Sequence, residues 1–288
     1  MIFIVSLLAG LYSTATILTL LKYHMFGWVM GSFVLCGLAA GLLMTIVFSV
    51  AKRIKRYDLI DAAWGWSFMV IAATSFLLQP GIKWEFDTQL LVTLFVFIWG
   101  GRLSLHIIKR IRSTDSEDPR YVEIRKKWRG NLALNIYIRM YMTQAVLALL
   151  ISLPVIHINL FADSGWSPWL FVGGFIWVAG FIIESISDSQ LRQFITTPVN
   201  KGKLMTQGLW RYSRHPNYFG ELAMWWGIGI ICLSTPFGWV GIAGPVLITY
   251  LIYFVSGIPI HEKRSEGRPG WESYKHRTSI LIPLPPRR

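Results

Sequence analysis

Apolar stretches of similar length recur along this chain, divided by short polar segments. They cover residues 3–22, 28–50, 61–79, 88–108, 136–157, 166–185, 219–236 and 238–257. A helix needs roughly 20 mainly apolar residues to cross the hydrocarbon core of a bilayer, and each stretch comes close to that. The pattern predicts an all-α polytopic membrane bundle of about eight helices, with seven or nine as the bounds. The stretch from Asp61 differs in opening with polar and small residues. The first stretch has no basic leader and no small-residue cleavage site, so it reads as a retained helix. Segments 80–87 and 157–166 read as short connections. The non-membrane mass lies in 109–135, in 186–218 and in a tail from about 258. With no internal repeat, long linker or low-complexity segment, residues 1–288 are expected to form one domain.

Composition agrees with this reading. Mean hydropathy is +0.47, and 53% of residues are hydrophobic against 15% charged. The net charge of +13 is unevenly placed. Lys52, Arg53, Lys55 and Arg56 follow the second stretch, and eight cations lie between Lys109 and Arg129. Further groups run from Arg192 to Arg214 and from Lys263 to the end, whereas the alternate loops hold only Lys22 and Lys83. Cytoplasmic loops carry the Lys/Arg excess, so both termini and all large loops are expected on the cytoplasmic side. Topology thus accounts for the high pI, and no basic domain outside the membrane is left to bind nucleic acid. Cys36 and Cys232 are isolated within apolar stretches, and the six histidines are scattered without ligand spacing. Neither a disulfide nor a metal site is expected.

The densest chemistry lies in Gly208-Leu209-Trp210-Arg211-Tyr212-Ser213-Arg214-His215-Pro216-Asn217-Tyr218-Phe219-Gly220-Glu221. Pro216 turns the chain and pushes His215 toward an extended conformation before a helix begins. A helix N-terminus beside Arg211 and Arg214 suits an anion. Tyr212 and Tyr218 can stack on a ring or donate to a phosphate. Asn217 can read an amide or a ribose hydroxyl, and Glu221 suits a carboxamide or pairs with Arg214. Just upstream, Glu184, Asp188 and Arg192 follow one another at four-residue spacing along a helix stripe. Arg102 and His106 share a helix face at the end of the fourth stretch. Asp61, Trp64 and Trp66 suit a helix cap with an aromatic belt. No glycine-rich Rossmann fingerprint is present.

These elements, with Trp271-Glu272-x-Tyr274-x-x-Arg277-Thr278-Ser279 in the tail, resemble a bacterial membrane family, the domain-of-unknown-function 1295 branch of the steroid 5α-reductase C-terminal fold. Asp61-Ala62-Ala63-Trp64-Gly65, Trp99-Gly100-Gly101-Arg102 and Glu117-Asp118-Pro119-Arg120-Tyr121 fit the same branch. The resemblance covers about 58–284 and leaves 1–57 as less typical N-terminal helices. It implies residence in the bacterial inner membrane, a cytoplasmic NADPH site, and reduction of an activated carbon–carbon double bond in a lipid that enters from the bilayer. That lipid is a steroid, another isoprenoid or an acyl chain. Positions matching Asp188, Arg192, Asn217 and Glu221 line the family's cofactor site. Arg211, Tyr212, Arg214, His215, Tyr218, Tyr274 and Arg277 are expected to complete it. Tyr121, His106, Glu117 or Asp118 is expected to polarise the carbonyl, although the Gln-Glu pair and membrane-helix Tyr of the steroid enzymes have no clear match.

Two other readings stay open. Methyltransferases of the isoprenylcysteine carboxyl type share an Arg-His-Pro-x-Tyr-x-Gly element and bind S-adenosylmethionine at the same face. In this chain Ile258 stands where that group has an arginine, and His261-Glu262 where it has paired glutamates. A non-enzymatic lipid-binding protein that keeps the fold is the third.

Overall fold

The computed structural model describes residues 25–80, 87–114, 116–126, 128–162 and 165–287. The first expected span, 3–22, lies outside them. The chain is all-helical, and among the described residues no strand forms beyond one isolated bridge between Ser213 and Ser279. The long helices are α1 (Met25–Ile54), α2 (Leu59–Leu77) and α3 (Thr88–Arg112). A short α4 (Pro119–Lys126) follows, then α5 (Leu132–Ile136), which runs through a π-helical turn at Tyr137–Met142 into α6 (Thr143–Ile151). Next come α7 (Leu153–Phe161), α8 (Pro168–Thr196), α9 (Pro216–Cys232), α10 (Ala243–Tyr250), α11 (Ile258–Ser265) and α12 (Trp271–Arg277). Among the described residues, six helical stretches are long and apolar enough to cross a membrane, and α9 is shorter at 17 residues.

The helices sort their faces as a bilayer requires. On α1, Val34, Leu38, Leu42, Ile46 and Val50 are exposed at four-residue spacing, while Cys36, Ala40, Met44, Val47 and Ala51 are buried opposite them. On α8, Phe171, Phe175, Val178 and Ile182 face outward, and Gly173, Trp177, Gly180 and Glu184 face inward. Helix starts follow local chemistry. The Asp87 carboxylate accepts from the Leu90 N–H at 2.9 Å, and Ser167 caps α8 by accepting from Leu170 at 3.2 Å. Pro216 opens α9 at a position where its missing N–H costs nothing. The core is aromatic: Phe68, Trp99 and Trp225 meet at centroid distances of 4.9–5.4 Å, and Phe95 stacks on Trp177 at 4.2 Å.

Three expected boundaries move. The stretch 136–157 breaks at Ser152, where the helix ends and α7 restarts with Pro154 in its first turn. The sixth helix does not end near 185 but continues to Thr196, so much of the expected 186–218 loop is helical. The tail is also folded, with α11 and α12 packed back on the chain. For the sixth helix, hydropathy located the apolar segment, but the helix runs on past its apolar limit through polar residues.

Candidate functional site

Four glycines set the site's frame. A Cβ on Gly180 would lie 2.6 Å from the Gly220 carbonyl oxygen, and one on Gly220 would lie 2.5 Å from the Gly180 oxygen. Gly173 and Gly227 approach as closely one turn pair further along. The backbones of antiparallel α8 and α9 therefore touch, which sets Glu184 and Asp188 beside the first turns of α9.

The expected Glu184–Asp188–Arg192 stripe pairs outward rather than along itself. Arg102 from α3 donates to Asp188 Oδ2 at 2.9 Å and also to Glu184 Oε1. It lies over the Phe181 ring as well. Arg192 is exposed, and it joins Asp188, Arg102 and Arg110 in acting electrostatically on His106. Glu221 sits within the field of Asp188 and Arg102. Glu184 Oε2 and Arg102 Nε are buried without a partner, so this charged layer is not fully satisfied.

Asp61, at the start of α2, is a second hub. It accepts from the Tyr121 hydroxyl, from Arg120 at 2.9 Å and from Arg110 at 3.0 Å. Burial first, and then the Asp61 charge, push the Tyr121 hydroxyl well above its ordinary pKa. Burial raises Asp118, but hydrogen bonds from Arg120 outweigh it and hold the carboxyl below the usual range. Glu117 is engaged elsewhere: it accepts from the Tyr57 N–H at 2.9 Å and from Arg125 at 2.6 Å, tying α4 to the start of α2.

The 208–221 segment and the tail enclose a cavity of about 290 Å³. Its walls include His215, Asn217 and Tyr218 on one side and His261, Arg264 and Arg268 on the other. Asn217 Oδ1 is buried without a hydrogen-bond partner, and His215 Nε2 faces Glu262 Oε1 at 3.5 Å. Burial is the main cause that lowers His215 to about 4, so its ring is neutral. The Arg120 charge acts on both Tyr218 and His261, which brings the Asp61 hub close to this cavity.

Arg214 and Tyr274 line the cavity but spend their polar groups on the fold. Arg214 donates to Glu262 at 2.7 Å and to the carbonyls of Lys275 and Thr278 at 2.8 and 2.7 Å. Its partner is thus Glu262 and not Glu221. Tyr274 donates to the Trp210 carbonyl at 2.6 Å. Arg211 and Arg277 lie across Tyr274 in a separate concavity, and Tyr212 is 42% exposed. The expected residues accordingly fall into several groups. His215, Asn217 and Tyr218 share the cavity wall; Asp188, Glu221 and His106 share the Arg102 layer; Tyr121 joins Asp61; and Glu117 stands apart. Arg264 and Arg268 escaped the sequence reading, because nothing distinguishes them from the other tail cations. Asp61 carried a readable signal, an acid opening an apolar stretch. Among the described residues no cluster suits a metal ion.

Over 136 residues the chain is 30% identical to "3-oxo-5-alpha-steroid 4-dehydrogenase 1" of Macaca fascicularis, covering 44% of this chain and 46% of that protein. Over 52 residues it is 38% identical to "Probable O-methyltransferase ustE" of Ustilaginoidea virens, 18% of each chain. The chain thus spans less than half the length of either curated relative. No solved structure matches. Residues 47–278 match the family described as "Protein of unknown function (DUF1295)", and the chain belongs to that family.

Proposed function

We propose that the protein is an NADPH-dependent membrane reductase that saturates an activated carbon–carbon double bond in a lipid entering from the bilayer. The observation that carries this reading is the cavity beside α9, with unpartnered Asn217 Oδ1 in its wall and Arg264 and Arg268 on its far side. The donor set fits the cofactor. An unpartnered amide oxygen suits a carboxamide NH2, and guanidinium groups suit phosphates. At about 290 Å³ the cavity is at the small end of ligand pockets, so it takes one end of a dinucleotide. Asp188, Arg192, Tyr218 and Glu221 extend the site toward the Arg102 layer. The relative whose name denotes a steroid dehydrogenase supports the same class of chemistry.

When bound, NADPH supplies a hydride for the β-carbon of a conjugated enone. The chain's own part is to hold the substrate carbonyl and deliver a proton. The Tyr121 hydroxyl is the candidate donor, since its raised pKa keeps its proton in place. That proton now points at Asp61, whose charge Arg110 and Arg120 partly offset. A carbonyl oxygen therefore competes for it against a weakened acceptor. The charge layout supports a cofactor side facing the cytoplasm.

The second reading is an S-adenosylmethionine-dependent methyltransferase, favoured by the 52-residue match to the O-methyltransferase. Titrating purified protein with NADPH, NADH and S-adenosylmethionine separates the two. A ligand that binds only the native state raises stability by about 2.7 kcal/mol at a hundredfold excess over Kd. A shift with NADPH exceeding that with NADH is expected. A shift with S-adenosylmethionine alone overturns the reductase, and no shift with any of them leaves a non-enzymatic lipid-binding protein.

A further inference from the structure

Arg211, Arg277 and Arg287 line one concavity of about 720 Å³, together with the hydroxyl-bearing Thr206 and Thr278. No carboxylate lines it, and none of the three arginines forms an ion pair among the described residues. Six other arginines at this end of the bundle, Arg56, Arg102, Arg110, Arg120, Arg125 and Arg214, have acidic partners. Backbone contacts fix the cluster. The Arg287 N–H donates to the Arg277 carbonyl at 2.9 Å, and the Leu284 N–H donates to the Tyr212 carbonyl at 3.0 Å. Leu204 and Tyr274 line both this concavity and the His215–Asn217 cavity, and so form the wall between them.

Beside the arginines, Tyr212, Ile282 and Leu284 are 42%, 57% and 50% exposed. Two bare aliphatic side chains and a tyrosine next to three cations make the pattern of a segment lying in a membrane interface. Chain position agrees, because Tyr212 precedes the first residue of α9 by only four positions. At that depth the anions within reach are lipid phosphates, and guanidinium groups bind phosphate in bidentate fashion.

We propose that the Arg211–Arg277–Arg287 concavity binds the phosphate of an anionic membrane lipid while Tyr212, Ile282 and Leu284 enter the acyl boundary. The site is separate from the proposed cofactor cavity. It holds the tail against the 208–214 segment from the membrane side.

The test uses full-length protein in phosphatidylcholine nanodiscs with and without phosphatidylglycerol. It reads thermal stability and the phosphatidylglycerol retained, by mass spectrometry. Phosphatidylglycerol is expected to stabilise the wild type, and affinity is expected to fall about fivefold for each of Arg211→Gln, Arg277→Gln and Arg287→Gln. All three side chains are exposed, so the single variants are expected to fold. Ile282→Ser with Leu284→Ser weakens retention too, while Arg53→Gln at the exposed end of α1 changes nothing. A triple Gln variant that retains phosphatidylglycerol like the wild type overturns the proposal. Equal stabilisation of the wild type by inorganic phosphate in phosphatidylcholine discs overturns the lipid as source. The NADPH-induced shift is expected to survive in the triple variant. Its loss overturns the separation of the two sites.

Discussion

Arg102 Nη1 lies 2.9 Å from Asp188 Oδ2, and its other terminal nitrogen engages Glu184, so one guanidinium from α3 holds two acids on α8. Glu184 is 4% exposed. Removing the cation strands a buried carboxylate, at a cost of about 3–5 kcal/mol. Arg102→Gln is therefore expected to unfold at markedly lower temperature in detergent. Adding Glu184→Gln should recover much of the loss. A double variant no more stable than Arg102→Gln alone would show that the pair is not what holds the helices.

The glycine contacts between α8 and α9 make a second prediction. Gly180→Ala forces a methyl group to 2.6 Å from the Gly220 oxygen, and overpacking costs about 1–3 kcal/mol. Because backbone and not a flexible side chain must give way, the upper end is expected. Gly41→Ala, with nothing within 4 Å, should leave stability unchanged or raised. Thermal unfolding of the two variants side by side decides it.

The Asp61–Tyr121 contact predicts a kinetic split. Under the proposed reaction, Tyr121→Phe lowers kcat by about a hundredfold or more. The NADPH-induced thermal shift persists, because Tyr121 does not line the cavity. Unchanged kcat in this variant removes Tyr121 as the proton donor.

His215 predicts a pH dependence. Its folded pKa is about 4, below the ordinary value of 6.5, so the unfolded chain takes up the proton first. Stability is then full above pH 6.5 and falls as pH drops toward 4, by about 3 kcal/mol at most. Thermal unfolding across that window should slope less steeply in His215→Asn than in the wild type. Parallel slopes would place the titration elsewhere.

Hydropathy made the bundle legible because lipid imposes one length and one polarity on every crossing. The described helices answer to seven of the eight apolar stretches. Helix ends were less legible: α8 runs on to Thr196 through polar residues that hydropathy discounts. The 208–221 segment stood out by its residue types alone. Which of its side chains face a cavity did not, since Arg211 and Arg214 look alike in sequence. Tertiary partners separate them: Glu262 and two tail carbonyls claim Arg214, while Arg211 opens into another concavity. Arg102 was visible as an intramembrane cation, but its partners lie more than 80 positions along the chain.

The folded tail has a consequence for biogenesis. His261, Arg264, Arg268, Trp271 and Tyr274 complete the cavity beside α9, and all of them follow the last apolar stretch, 238–257, in the chain. Under the proposed function, a nascent chain therefore threads the membrane before its cofactor cavity is complete. A chain stopped near residue 257 should still insert and yet bind nothing in that cavity. Under the proposed function, ligand competence thus waits on the tail, whose Glu262 pairs with Arg214.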